Sequence, residues 1–179
     1  MPEAVEVIER TPIEEPEDPV PAPERIAKEP VPVLSSSSAK SYMDYRAITD
    51  KSSRQWKFIN ESGEVEIDKR GFITTNDGYY AVALGSYFGP VGQKYIFTLR
   101  DGDRIRELRA VKAEAKADKD TRADGFACPD GHVIEMVIDT STAYMQERME
   151  ANGYICSGNL NKIEELRGEI IKIERVKEH

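Results

Sequence analysis

The stretch GYYAVALGSYFGPVGQKYIFTL, residues 78–99, decides the fold class of this 179-residue chain. Its segment Tyr79–Gly85 is apolar enough to form a strand buried on both faces, and KYIFTL predicts a second strand after a Gly-Pro turn. Asp101-Gly102 then marks a hairpin that leads into a third strand, RIRELRAVKA. Three successive strand signals indicate a fold built mainly from β-strands.

The flanking segments extend this pattern in both directions. Further short strands are predicted in VEID, GFITT, HVIEMVID and GEIIKIERV. Two helices are predicted, one through SSRQWKFINES and one through STAYMQERMEANG, where Met145 and Met149 share a face. We therefore expect a mainly β fold with two short helices, in which about six or seven short strands form a closed or nearly closed barrel, because closure removes exposed strand edges.

The first 40 residues differ in composition from the rest of the chain. Eight of the ten prolines precede Val33, and nine acidic residues stand against four basic ones in this segment. Such a Pro/Glu-rich sequence favours extended conformations and cannot bury a core. We expect residues 1–40 to be a disordered tether that holds the domain away from an anchor. The alternative is an expendable tail. Residues 41–179 then form one β-barrel domain with an N-terminal helical extension.

Bulk properties exclude several classes of protein. The net charge is −8 and no basic face is visible, so we expect no nucleic-acid partner. No apolar run approaches the roughly 20 residues of a membrane-spanning helix, and the acidic N-terminus lacks the features of a signal peptide. Cys128 and Cys156 fit either one disulfide or two unpaired thiols, and the sequence leaves both open.

Several segments in order resemble the double-psi β-barrel of the three-aspartate (3D) domain and of the lytic murein transglycosylase A family. The resemblance covers roughly residues 71–176 and is one of order and pattern. The matching blocks are Ala81-Val82-Ala83, the turn Gly89–Gln93, Ala113-Glu114-Ala115 and Ile134–Val137, followed by a helix and a last strand. This resemblance implies a six-stranded double-psi β-barrel and a peptidoglycan-acting protein.

The chain departs from the family at its three aspartates. Leu84 stands in place of the first one, whereas Glu114 and Glu135 stand in place of the other two. A second resemblance links SYMDYRAITDKSSRQWKF and the ALGS step to small proteins of Firmicutes and their phages, which bring no established activity. Together the two resemblances imply an extracellular, cell-envelope or virion-associated setting, with a cytoplasmic one not excluded.

The two glutamates are the candidate catalytic residues. A carboxyl group with a raised pKa can protonate a glycosidic oxygen, and in lytic transglycosylases the same carboxylate can then accept the proton of the sugar's own 6-hydroxyl. Glu135 is the candidate acid and Glu114 is its nearby second carboxylate. An outward, solvated Glu135 on a half-exposed strand is an equally ordinary interpretation.

Three further residues are candidates for substrate binding. Asp118 and Asp120 follow the Glu114 strand and offer acceptors for sugar hydroxyls, and the Tyr87 ring offers a stacking face. Solvated loop charges and a core tyrosine are the plainer interpretations. Cys128 and His132 are too few for a structural metal site, and no cofactor-binding fingerprint is present, so we expect neither a metal nor a cofactor.

Two functions follow from these residues. The first is lytic-transglycosylase-like cleavage of peptidoglycan glycan strands by a carboxylic acid/base. The second is a non-catalytic barrel that serves as a phage virion or cell-surface structural or binding module, which the loss of an aspartate at Leu84 favours. In either case the expected partner is peptidoglycan or another glycan, with the N-terminal tail joining a phage or envelope assembly.

Overall fold

The computed structural model of the chain describes residues 26–35, 37–152 and 160–177. Residues 1–25 of the predicted tether lie outside this range, and so does Cys156. The predicted disorder of residues 1–25 therefore stays a prediction, and the choice between a Cys128–Cys156 disulfide and two unpaired thiols stays open.

Nine strands and two α-helices make up the regular structure of the described residues. The strands are β1 Lys28–Val31, β2 Ser41–Asp44, β3 Val65–Ile67, β4 Ile73–Thr75, β5 Tyr80–Leu84, β6 Lys94–Asp101, β7 Arg104–Ala115, β8 Glu135–Ile138 and β9 Glu169–Val176. The helices are α1 Arg54–Asn60 and α2 Ala143–Asn152. Short 3₁₀ turns lie at Tyr45–Ala47, Ser86–Phe88, Asp118–Asp120, Leu160–Lys162 and Glu164–Leu166. Neither α-helix is long and apolar enough to cross a membrane.

All nine strands belong to one mixed sheet. Its hydrogen-bonded order is β1-β9-β6-β7-β5-β4-β3, and β8 joins it by pairing with both β5 and β2. The β5–β7 and β2–β8 pairs are parallel and the other pairs are antiparallel. The predicted mainly β fold with two helices is confirmed. The closed six-stranded barrel is not, because the described pairings form an open, branched path of nine strands.

Strand β1 lies inside the segment predicted to be a disordered tether, and for residues 28–31 that prediction is wrong. The strand pairs antiparallel with β9, from Lys28 opposite Val176 to Val31 opposite Ile173. It is an edge strand, which is where a sheet tolerates a proline such as Pro30. The Pro/Glu-rich composition hid this strand, since its alternation spans only four residues.

The buried apolar residues in the described ranges form three clusters, and the two that contain residues of β5 lie on opposite faces of that strand. Val82 and Leu84 belong to the large cluster, which also contains a group of aromatic rings in mutual contact. Ala81 and Ala83 face a smaller cluster, against which Phe58 of α1 packs. These four residues of β5 are fully buried, which confirms the predicted strand with two buried faces. The methyl side chains of the alanines leave room for α1 on this side.

Helix α1 begins later than the sequence analysis indicates. It was predicted to run through SSRQWKFINES from Ser52, but Ser53 is the N-cap, and its hydroxyl oxygen accepts a hydrogen bond of 3.1 Å from the Trp56 backbone N–H. Asp50 accepts hydrogen bonds from Ser52 in the turn before the helix. Helix α1 lies over β7, and this packing covers the small apolar cluster.

Candidate active site

The two candidate catalytic glutamates lie on either side of one alanine. Ala83 of β5 is paired with Glu114 of β7 on one side and with Glu135 of β8 on the other. Paired residues on neighbouring strands project to the same face, and two strand spacings separate the two Cα atoms by about 10 Å. Both glutamates are half-buried, and only the alanine methyl group stands between them. The sheet thus brings together two carboxyl groups that lie 21 positions apart in sequence.

A β-bulge in β7 sets this alignment. Val82 is paired with Lys112, but the next residue of β5, Ala83, is paired with Glu114 rather than with Ala113. The extra residue shifts the register by one, and bulges commonly re-aim side chains in this way beside active sites. Without the shift, the methyl group of Ala113 would stand opposite Ala83, and Glu114 would project to the other face.

The surroundings of Glu114 favour its protonated form. Burial raises the pKa of this carboxyl group to about 7, and the negative charge of Glu135 adds to the rise. The positive charges of Lys112 and Lys116 lower the pKa of Glu114, but the net shift is upward. Near neutral pH, Glu114 is therefore divided between the neutral acid and the carboxylate, which suits a group that donates and accepts a proton.

Two buried lysines hold the backbone around the glutamates. Lys112 is 1% exposed, and its ammonium group donates to the carbonyl oxygens of Gly85, at 2.8 Å, and Gly89, at 2.7 Å. Lys116 donates to the Val133 carbonyl oxygen at 3.0 Å, and its Nζ lies 3.5 Å from the Cys128 Sγ. The sequence analysis missed both lysines. The segment RAVKAEAK, residues 109–116, places lysines between alanines in a strand. This pattern could have indicated that the lysines are buried.

The three predicted substrate-binding residues differ in their placement. Asp118 and Asp120 form an exposed 3₁₀ turn on the loop that follows β7, and Asp118 is close enough to influence the pKa of Lys112. The ring of Tyr87 is half-buried and makes edge contacts with Phe88, at 5.5 Å, and Phe126, at 5.2 Å between centroids. Asp118 thus belongs to the charged surroundings of Lys112, whereas Tyr87 belongs to the aromatic part of the core.

For the two glutamates to act on a polymer, an open groove has to run past them. Three depressions formed by described residues lie elsewhere. One of about 320 Å³ adjoins Phe58 and Val91, one of about 380 Å³ adjoins Tyr45 and Trp56, and one adjoins Arg106. Both glutamates are partly exposed residues, although neither borders one of these depressions.

Cys128 and His132 belong to a tight turn. The Cys128 N–H donates to the His132 carbonyl oxygen at 2.9 Å, and burial raises the pKa of the Cys128 thiol. Within the described ranges, no three side chains of His, Cys, Asp and Glu come together in a way that could hold a metal ion. The turn connects the loop that follows β7 to strand β8.

The raised pKa of Glu114 predicts that the stability of the protein depends on pH. A carboxyl group whose pKa rises from 4.5 to about 7 on folding binds its proton more tightly in the folded state. Its stabilising contribution is complete below the unfolded value and is lost as pH rises through about 7. We expect urea denaturation to show that Glu114→Gln raises the free energy of unfolding more at pH ~8 than at pH ~5, by up to about 3 kcal/mol. An equal effect of the substitution at both pH values would contradict the assignment.

Comparison of the chain with protein-family models, with curated proteins and with solved structures finds no match.

Proposed function

We propose that this protein cleaves glycan strands of peptidoglycan by lytic-transglycosylase-like chemistry, with Glu114 and Glu135 as the reacting groups. The observation that carries the proposal is the pairing of both glutamates with Ala83, which aligns two half-buried carboxyl groups on one face of the sheet. Enzymes that break glycosidic bonds usually use a pair of carboxyl groups.

In the proposed mechanism Glu114 is the acid. Its raised pKa favours this role, although the sequence analysis gave it to Glu135. Glu114 protonates the glycosidic oxygen as the bond from that oxygen to the anomeric carbon breaks. The 6-hydroxyl oxygen of the same sugar then bonds to the anomeric carbon, and Glu114 accepts the hydroxyl proton. Glu135 stabilises the positive charge that develops on the sugar ring. The product is a 1,6-anhydro sugar, and no water is consumed.

The proposal extends to the fold. The blocks that resemble the double-psi barrel fall on β5, β7 and β8, and these three strands are hydrogen-bonded neighbours. Their adjacency supports a relation to the barrels of the three-aspartate domain and of lytic murein transglycosylase A, with extra strands added at the edges. A cell-envelope or virion setting, and attachment through the N-terminal segment, belong to the same proposal.

Incubation of the full chain with purified cell-wall sacculi tests the proposal. We expect soluble 1,6-anhydro-muropeptides, identified by mass spectrometry, because the sugar's own hydroxyl replaces water as the nucleophile. Products with ordinary reducing ends would show hydrolysis and overturn the transglycosylase mechanism. Absence of any release from sacculi of several bacteria would overturn cleavage altogether.

The second candidate function is a non-catalytic glycan-binding or structural module of a virion or cell surface. Leu84 favours it, because this residue stands where the resembling family has an aspartate and is fully buried in the large apolar cluster. Co-sedimentation with sacculi separates the two functions. Binding without release of fragments is the result expected for the module.

A further inference from the structure

A depression of about 380 Å³ lies between the 3₁₀ turn Tyr45–Ala47 and helix α1. Its lining includes the side chains of Tyr45, Lys51, Trp56 and Asn60. Its volume is within the range of small-molecule sites in proteins. The two glutamates of the candidate active site are not part of it, so it is a separate feature of the molecule.

Trp56 is the only tryptophan of the chain, and it borders the depression. Like Phe58 and Ile59 it is half-buried, but those two residues pack against the small apolar cluster. The side-chain amide of Asn60 donates to the Trp56 carbonyl oxygen at 2.9 Å, which holds a polar group one turn along the helix. A partly exposed aromatic face beside amide and hydroxyl groups suits the alternating apolar and polar surfaces of a sugar ring.

The two charged side chains that line this depression among the described residues, Arg46 and Lys51, are both basic. The Lys51 ammonium group lies 5.8 Å from the centre of the Trp56 ring, at the outer limit of a cation–π contact. In the part of the chain that the structure describes, no carboxylate pairs with Lys51, whereas nearby Arg46 is engaged by Asp44 and Asp139. Lys51 is thus available to a negatively charged group of a ligand, in a protein whose net charge is −8.

We propose that this depression binds a saccharide unit that carries a carboxylate, with the sugar ring against Trp56 and the carboxylate against Lys51. Ser41 of β2 is paired with Glu135, and Tyr45 follows β2, so the depression begins about 13 Å along the strand from the glutamate row. An oligosaccharide spans that distance and a monosaccharide does not. The inference therefore rests on the proposed function for its biological role, as a second subsite for stretches of the same polymer whose muramic acid carboxylates carry no peptide.

Tryptophan fluorescence of the full chain tests the site directly, because Trp56 is the sole tryptophan. The probes are N-acetylmuramic acid and N-acetylglucosamine, which differ by the lactyl group that carries the carboxylate. We expect a saturable change with N-acetylmuramic acid and at least about fivefold weaker binding of N-acetylglucosamine. Lys51→Gln should remove this preference. Lys69→Gln, at another exposed lysine, should keep it.

Calorimetry of Trp56→Ala adds a readout that does not depend on the fluorophore. We expect at least about tenfold weaker binding of N-acetylmuramic acid, with an unchanged melting temperature, because Phe58 and Ile59 still hold the helix. No saturable response of the wild-type chain, or equal binding of the two sugars, would overturn the proposal. Glu114→Gln should bind the sugar normally, so failure of cleavage and failure of this subsite are distinguishable.

Discussion

Replacing Glu114 by Gln is expected to lower the rate of glycan cleavage by about 100-fold or more, the usual contribution of a positioned acid or base. The amide has nearly the size of the carboxyl group and keeps the packing beside Ala83, but it cannot transfer a proton. The measurement is the initial rate of 1,6-anhydro-muropeptide release from sacculi. The effect should fall on the rate and not on binding to the wall.

The pH dependence of the wild-type rate provides an internal check on this prediction. Because the proposed mechanism starts from protonated Glu114, the rate should fall as pH rises through about 7. The residual rate of Glu114→Gln should lack this step. Glu107→Gln is the matched control, since Glu107 is an exposed carboxylate on the same strand β7. Full activity of Glu114→Gln, or a comparable loss in Glu107→Gln, would refute the assignment of Glu114 as the acid.

The strands of this protein were largely predictable, because burial leaves a direct mark on sequence. Tyr79–Gly85 is a continuous apolar run and forms the doubly buried strand β5, and Asp101-Gly102 marks the β6–β7 hairpin. Strand β1 was not predictable by the same logic. It lies at an edge, its burial alternates weakly over four residues, and its pairing with β9 depends on a partner far away in sequence.

The site could be predicted by residue type but not by geometry. Glu135 stood out as an acid in an apolar strand and Glu114 through the resemblance to the three-aspartate domain, and the structure pairs both with Ala83. Their alignment depends on the bulge in β7, which no local residue pattern announces, since the segment around Ala113 looks like regular strand. The buried positions of Lys112 and Lys116 were missed because both side chains donate to backbone carbonyl oxygens. Every residue has such an oxygen, so these partners cannot be recognised from residue types.

Gly85→Ala is expected to have the largest effect on stability among simple substitutions near the site. Gly85 follows β5, and a Cβ atom there would lie 1.8 Å from the Gly125 carbonyl oxygen and 2.7 Å from its carbon. Both atoms are backbone, so no side-chain rotation relieves the clash. The charged loop after β7 would have to move away from β5. We expect a loss of about 3 kcal/mol or more in the free energy of unfolding, measured by urea denaturation.

The same substitution should disturb the site, because the Gly85 carbonyl oxygen is one of the two acceptors of the buried Lys112 ammonium group. Gly63→Ala is the matched control. Gly63 has a φ of 71°, yet a Cβ there meets nothing within 4 Å, so only backbone strain of about 1–2 kcal/mol is added. Gly85 has an ordinary φ of −63°, so its cost is steric alone. Equal losses of unfolding free energy in the two variants would show that the close contact between Gly85 and the Gly125 backbone does not determine stability.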